Sequence, residues 1–184
     1  MKQNQMWTYV FVIFLTLQSQ CSACERLARY SIISNESLTL LRQMGAHDPP
    51  GRVPFPRNLY HQIDNAEAED QVRFLTLTLD HIIDLMDAKE HMNSVKWNRR
   101  TVDHFLSVLH RQSSDLKECV AQYQKSIHKK SYEKRLKRHF KVLKKTLKKK
   151  EFSAQAWGQI WKAVKSHLQR MDIIASNAKK HLRH

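Results

Sequence analysis

The sequence contains few residues that break helices. Only three glycines occur among its 184 residues, and all four prolines fall between Pro49 and Pro56. Strand-rich folds need frequent turns, and glycine and proline build many of them. Their near absence outside one short segment excludes a strand-rich fold and favours a few long helices.

The sequence also lacks an apolar run long enough to span a bilayer. The longest run, from Met6 to Leu17, has twelve residues, whereas a membrane-spanning helix needs about 20. A positively charged start precedes this run and the small residues Cys21-Ser22-Ala23 follow it, which is the pattern of a secretory signal peptide. We therefore predict a signal peptide over residues 1–23 and one secreted, extracellular domain over residues 24–184. An uncleaved signal anchor is the alternative.

No sequence motif of an enzyme is present. The chain has no G-x-S-x-G, no P-loop, no dinucleotide fingerprint and no H-E-x-x-H, so the patterns that would place a nucleophile, a phosphate or a zinc ion are missing. Its eleven histidines are scattered, and we expect them at the surface, since only His181 and His184 form a helix-spaced pair. The sequence therefore predicts no enzyme, no metal site and no cofactor.

Cysteine is scarce as well. Of the three cysteines, Cys21 would leave with the signal peptide, and Cys24 and Cys119 would remain. An even count in an oxidising compartment predicts a single disulfide between these two, and two free buried thiols are the alternative. Asn35-Glu36-Ser37 is the one N-glycosylation sequon, which makes Asn35 a candidate for glycosylation.

Hydrophobic residues recur at three- and four-residue steps over five stretches, which predicts five amphipathic helices. They cover residues 24–44, 65–90, 98–123 and 132–149, and a last helix begins after Ser153. Helices with one apolar face must pack together, so we predict an all-α bundle. The one long irregular stretch, residues 46–61, follows the first helix and permits a crossover between parallel neighbours. The expected arrangement is that of an up-up-down-down helical cytokine bundle.

Charge is distributed unevenly along the chain. Twelve lysines and arginines and one acid lie between Lys129 and Lys150, a net charge of +11, whereas residues 64–90 carry a net charge of −6. This region either is a solvated surface packed near the acidic second helix, or binds polyanions such as heparan sulfate or anionic membrane surfaces. The signal peptide disfavours a nucleic-acid partner. The predicted basic face consists of Lys130, Lys134, Lys137, Lys141, Lys145 and Lys148.

Several segments resemble the type I interferon family. The last two helices contain HFKVLKKTLKKKEFSAQAW, in which Phe140, Leu147 and Trp157 stand at the spacing of the family signature. The third helix ends in SDLKECV, similar to the family's Asp-Leu-x-x-Cys segment, and Phe55-Pro56 matches a Phe-Pro of the family's long first loop. Gln155 replaces the signature cysteine, and the first loop has no cysteine either. The chain therefore resembles the two-cysteine, group I interferons of bony fish, with a cyprinid-like sequence.

The resemblance implies a function. Type I interferons are antiviral cytokines that bridge two receptor chains, bring their Janus kinases together and activate STAT signalling. In that family one receptor chain contacts the first long loop and the last helix, and the corresponding residues here are Arg52, Trp161, Lys162 and Lys165. The alternative function is that of a cationic host-defence protein that acts on anionic membranes through its basic helix.

Overall fold

The computed structural model describes residues 26–27, 29–45, 52–121 and 130–182, and all regular structure in these ranges is helical. No helix in the described ranges is both long and apolar enough to cross a membrane. A 3₁₀ helix, Lys89–Ser94, lies between the third and fourth α-helices. In chain order the α-helices are α1 (29–44), α2 (Arg57–Asp64), α3 (Ala68–Met86), α4 (Arg99–Ala121), α5 (Ser131–Lys149) and α6 (Ala154–His181).

Polar side chains cap two helices where the sequence predicts that they begin. Ser153 Oγ accepts a hydrogen bond from the Ala156 backbone N–H at 3.3 Å. Asn98 Oδ1 accepts one from the Thr101 backbone N–H at 3.2 Å. Each bond satisfies a backbone donor that has no partner within its own helix. The predicted starts of α6 and α4 are therefore confirmed.

Two elements differ from the prediction. The end of the predicted irregular stretch, residues 57–61, is helical and forms α2 together with residues 62–64, and Leu59, Tyr60 and Ile63 are buried in it. Eight residues are too few for a periodicity argument, which needs a window of about 11–18 residues. The predicted second helix divides into α3 and the 3₁₀ helix, since the backbone leaves the helical region at Ala88, where ψ is 36°.

Helix α3 lies at the centre of the bundle. It packs against α2, α4, α5 and α6, and its Leu75, Leu79 and Ile82 are fully buried. Burying one such side chain contributes roughly 1.5–3 kcal/mol, so the apolar stripes hold the helices together. The stripe of α5 is also buried, with no member more than 4% exposed. That stripe consists of Tyr132, Leu136, Phe140, Leu143 and Leu147.

A tryptophan holds the C-terminal end of α1 against α6. The Trp161 indole N–H donates a hydrogen bond to the Leu41 carbonyl oxygen at 2.6 Å, and only 4% of Trp161 is exposed. Gly45 follows α1 and lies so close to the indole that a Cβ placed on it would be 2.4 Å from Trp161 Nε1. Glycine is therefore required here by the close approach of α6.

Gly45→Ala should lower the free energy of unfolding by about 1–3 kcal/mol, the usual cost of adding a methyl group to a packed site. The indole cannot move aside without losing its hydrogen bond to Leu41. Urea denaturation followed by circular dichroism measures the change. Gly158→Ala, inside α6, is the control and should not lower stability, because alanine favours helix over glycine. Equal losses in both variants would contradict the importance of the close contact.

Candidate functional site

An open cleft lies between the segment that leads into α2 and the outer face of α6. Its cavity volume is about 950 Å³, and we name it the loop–α6 cleft. It brings together Arg52 and Lys162, two of the four residues predicted to bind a receptor. Its walls are formed by Arg52, Val53, Pro54, Phe55 and Arg57 on one side and by Lys162, Ser166, Gln169, Arg170 and Ile173 on the other.

The loop–α6 cleft is basic and has an apolar edge. Four of its ten lining residues are lysine or arginine, and none of these ten described residues is acidic. Arg170 pairs with Asp64, whereas Arg52 and Arg57 are exposed at the rim. Ile173 is 49% exposed, although isoleucine is normally buried. Because protein interfaces combine apolar anchors with a polar rim, the cleft suits a partner whose acidic side chains surround an apolar one.

Phe55 connects one wall of the cleft to the core. Its ring stacks on Tyr60 with centroids 4.8 Å apart and lies 5.1 Å from the ring of His167. Tyr60 of α2 is 1% exposed, and its hydroxyl oxygen is 2.6 Å from His167 Nδ1. The hydrogen bond between Tyr60 and His167 joins α2 to α6 beneath the cleft, so the core determines where Phe55 lies.

His167 and His139 form a pair inside the bundle, and the prediction that histidines lie at the surface is wrong for His167. Their Nε2 atoms are 3.0 Å apart, so one Nε2 carries a hydrogen and donates a hydrogen bond to the other. Burial, together with the neighbouring His139, lowers the pKa of His167 well below 6.5, and burial lowers the pKa of His139 to about 4. Both imidazoles are therefore neutral at physiological pH. The described residues provide no group of three or more His, Cys, Asp or Glu placed to hold a metal ion.

The other two predicted receptor-binding residues lie beside the cleft and not in its walls. Trp161 is buried and bonded to Leu41, as described above. Lys165 is half-buried, and its Nζ lies 4.9 Å from the centroid of the Trp161 ring, within cation–π range. Direct contact needs accessible surface, so the geometry favours Lys162 over Trp161 as a contact residue. Trp161 supports the end of α1 instead.

Other predicted features stay predictions. Cys119 of α4 is buried, but Cys24 and the signal peptide over residues 1–23 lie outside the described residues, so neither the disulfide nor cleavage is tested. Asn35 is exposed on α1. The hydroxyl of Ser37, the third residue of the sequon, is buried and donates a hydrogen bond to the Ser34 carbonyl oxygen at 2.8 Å. A glycan on Asn35 would therefore have to be added before α1 packs.

The basic face predicted from the sequence is exposed along its whole length. Two ion pairs link this region to α3: Lys130 Nζ, just ahead of α5, is 3.4 Å from Asp70, and Lys144 Nζ of α5 is 2.9 Å from Asp84. One side of α5 therefore packs near acidic α3 and the other faces solvent, as the first interpretation expects, and binding of a polyanion by the solvent-facing side stays a prediction. The lysines of the face that form no ion pair with a described acid are Lys134, Lys137, Lys141, Lys145 and Lys148.

Three residues of the site were missed by reasoning from the sequence. Ile173 lies off the apolar stripe of α6, and that position was the available signal for an exposed apolar residue. His167 lies on the stripe, where periodicity predicts burial. For Arg170 no local signal exists, because its partner Asp64 is 106 residues away in the chain.

Comparisons with known proteins agree with the resemblance seen in the sequence. A family model described as the Interferon alpha/beta domain matches residues 28–178. Interferon a3 of Oncorhynchus mykiss is 43% identical over 176 residues, which cover 94% of this chain and 96% of that protein. The solved structure of zebrafish interferon 1 is 64% identical, has a TM-score of 0.81, and the match covers 84% of this chain and 99% of that chain. The predicted fold class, a helical cytokine bundle, is thereby confirmed.

The histidine pair predicts that stability falls as the pH drops below about 6.5. The pKa of each imidazole is lower in the folded chain than in the unfolded chain, so the unfolded chain binds more protons below that pH and is favoured. For His139 alone, the loss at about pH 5 should be about 1–2 kcal/mol after discounting for its partial exposure. Asp172 opposes this effect, since burial raises its pKa and the folded chain then binds its proton more readily.

Urea denaturation at neutral pH and at about pH 5 measures this loss of stability. His139→Gln keeps an amide that can bond to His167 and cannot be protonated, so its stability should depend less on pH. His110→Gln is the control, because His110 is exposed on α4. A wild-type chain that is equally stable at both pH values would contradict the prediction.

Proposed function

The chain belongs to the interferon alpha/beta family, whose members are antiviral cytokines and not enzymes, and we propose that it acts by bridging two cell-surface receptor chains. Bridging brings the receptor-associated Janus kinases together and so activates STAT signalling and antiviral genes. The proposal includes secretion of the mature domain after removal of residues 1–23. The disulfide between Cys24 and Cys119 and the glycan on Asn35 belong to the same proposal.

We place one receptor contact in the loop–α6 cleft. The observation that supports this choice is that Arg52 and Lys162, 110 positions apart in the sequence, line one cleft together with the exposed Ile173. The apolar side chain supplies area that is removed from water on binding, and the basic groups orient an acidic partner. Both walls are attached to the core, one through Phe55 and the other through α6 itself, so little ordering is needed on binding.

Arg52→Glu combined with Lys162→Glu should weaken receptor binding at least about 10-fold, a loss of about 1.4 kcal/mol. The reversal places like charges opposite the acidic partner that the cleft suits. Binding to zebrafish cells and induction of an antiviral reporter gene in them are the measurements, and circular dichroism checks the fold.

The matched control is Lys96→Glu combined with Lys180→Glu, which changes the net charge equally at exposed positions outside the cleft. It should leave binding near the wild-type level. Equal binding by the folded cleft variant and this control would exclude the cleft. Lys165→Glu, tested alone, separates the cleft from the neighbouring surface over Trp161.

We propose as a second activity that the basic face of α5 binds sulfated polyanions of the heparan sulfate type. The supporting observation is that its five lysines without a described ion pair lie on the outer side of α5, whose apolar stripe is buried. From Lys134 to Lys148 this row extends about 21 Å at the rise of an α-helix. A linear polyanion could contact several of these lysines at once.

Lys137→Gln, Lys141→Gln and Lys145→Gln together should make the chain elute from heparin at lower salt. Near-surface contacts with anions contribute about 1 kcal/mol each and are screened by salt. The matched control is the triple variant Lys96→Gln, Lys117→Gln and Lys180→Gln, which removes the same charge from other surfaces. If both triple variants elute together, the attraction follows from net charge and not from α5.

The alternative function, perturbation of anionic membranes, requires more than the exposed basic face of α5. Because the apolar stripe of α5 is at most 4% exposed, a folded chain offers a membrane the lysines of α5 but not this stripe. Perturbing lipid would require α5 to leave the core. An isolated peptide covering Lys129 to Lys150 should therefore permeabilise anionic vesicles better than the intact protein, and equal potency would favour the host-defence function.

A further inference from the structure

The histidine pair lies directly beneath the loop–α6 cleft. Phe55 belongs to both, since it lines the cleft and its ring is 5.1 Å from that of His167. His167 is sandwiched further by Phe140, with ring centroids 4.9 Å apart and an interplanar angle of 29°. A change at His167 therefore reaches the cleft wall through one direct ring contact.

The pair accepts protons poorly while it stays closed. With both imidazoles neutral, one Nε2–H donates to the other Nε2 across 3.0 Å. A further proton would make one ring a buried imidazolium, and the other ring and the Tyr60 hydroxyl would have to exchange their donor and acceptor roles to keep both hydrogen bonds. Among the described residues no carboxylate bonds to either ring, so a positive charge there has no counter-ion and burial makes it costly.

The histidines are the groups in this region that take up protons as the pH falls below neutral. Tyrosine hydroxyls stay protonated and arginine stays charged over that range. Asp172, whose pKa burial raises, takes up a proton in the folded chain and opposes the histidines. Tyr60 of α2 contacts the pair directly. The other titratable and charged groups are connected to it indirectly: Tyr30 and Arg170 interact with Tyr60, Asp172 with Tyr30, Asp64 with Arg170, and His81 stacks on Phe140.

We propose that the His139–His167 pair makes the loop–α6 cleft acid-sensitive, so that the chain releases its receptor when both enter an acidic compartment. Protonation opens the pair, and Tyr60 and Phe55 lose the ring against which they rest. The cleft wall formed by residues 52–57 then moves away from α6. The inference depends on the proposed function, because it assigns regulation to the proposed receptor contact.

The expected change in the receptor dissociation rate follows from the linkage between protonation and opening of the pair. A histidine that titrates near 6.5 when open to water and at about 4 when closed favours the open state about 20-fold more at about pH 5 than at neutral pH. That factor is for His139 alone, before the opposing effect of Asp172. An increase in the receptor dissociation rate of about 10-fold is therefore expected.

The test uses labelled, full-length mature chain bound to zebrafish cells at neutral pH. Dissociation is then followed at neutral pH and at about pH 5 for three proteins. The wild-type chain should dissociate about 10-fold faster in acid, and His110→Gln should behave in the same way. His139→Gln, which cannot be protonated at that position, should show less than about a threefold increase. Equal acceleration in wild type and His139→Gln, or no acceleration in wild type, would overturn the proposal.

A second measurement needs no receptor. In NMR spectra of the wild-type chain, the imidazole signals of His139 and His167 and the methyl signals of Val53 and Ile173 should change together over the same acidic range. Methyl signals that stay constant while the histidines titrate would overturn the proposal and leave the receptor contact intact. If the methyl signals move but the Arg52 and Lys162 reversals do not affect binding, the receptor does not use the cleft, and release by this route is excluded.

Discussion

The cleft depends on the hydrogen bond between Tyr60 and His167. These residues are 107 positions apart, and their contact holds the short α2 against the long α6. Phe55 stacks on Tyr60 and lies at a tilt against His167, so the segment ahead of α2 takes its position from this contact. The end of α1, where the segment leading to α2 begins, is attached to α6 as well, through Trp161. Helix α6 thus anchors both ends of the segment between α1 and α2, and it also supplies the opposite wall of the cleft.

This anchoring places polar groups in the core, where each must be satisfied to avoid a cost of about 1–3 kcal/mol. Tyr60, His167 and His139 satisfy one another through hydrogen bonds. Such a network specifies its partners more strictly than apolar contacts do, because a hydrogen bond needs a particular distance and direction. Burial of the same network lowers the pKa of both histidines, so positional accuracy at the cleft and sensitivity to pH come from the same buried group of side chains.

The charges of α5 are organised by burial. Burial of the apolar stripe fixes the orientation of α5. That orientation turns the lysine row outward and brings Lys144 toward Asp84 of α3. Exposed ion pairs of this kind contribute only about 0–1 kcal/mol, so they do not hold the helix in place. Hydrophobic packing orients α5, and the distribution of charge on the surface follows from it.

Much of the fold could be predicted from the sequence, because apolar periodicity, scarce glycine and proline, and caps such as Ser153 are local properties. The pattern of α5 predicted both its buried stripe and its exposed lysines, whereas α2 was missed because Leu59, Tyr60 and Ile63 span too short a segment. Of the site, the sequence by itself determined which residues are basic, and the family resemblance predicted Arg52 and Lys162 as receptor-binding residues. Only the tertiary structure decided that these two meet across a cleft, that Trp161 is buried, and that His167 lies between His139 and Tyr60. The physical reason is that each of these contacts joins distant parts of the chain, and no local pattern specifies which distant side chain a packed residue will meet.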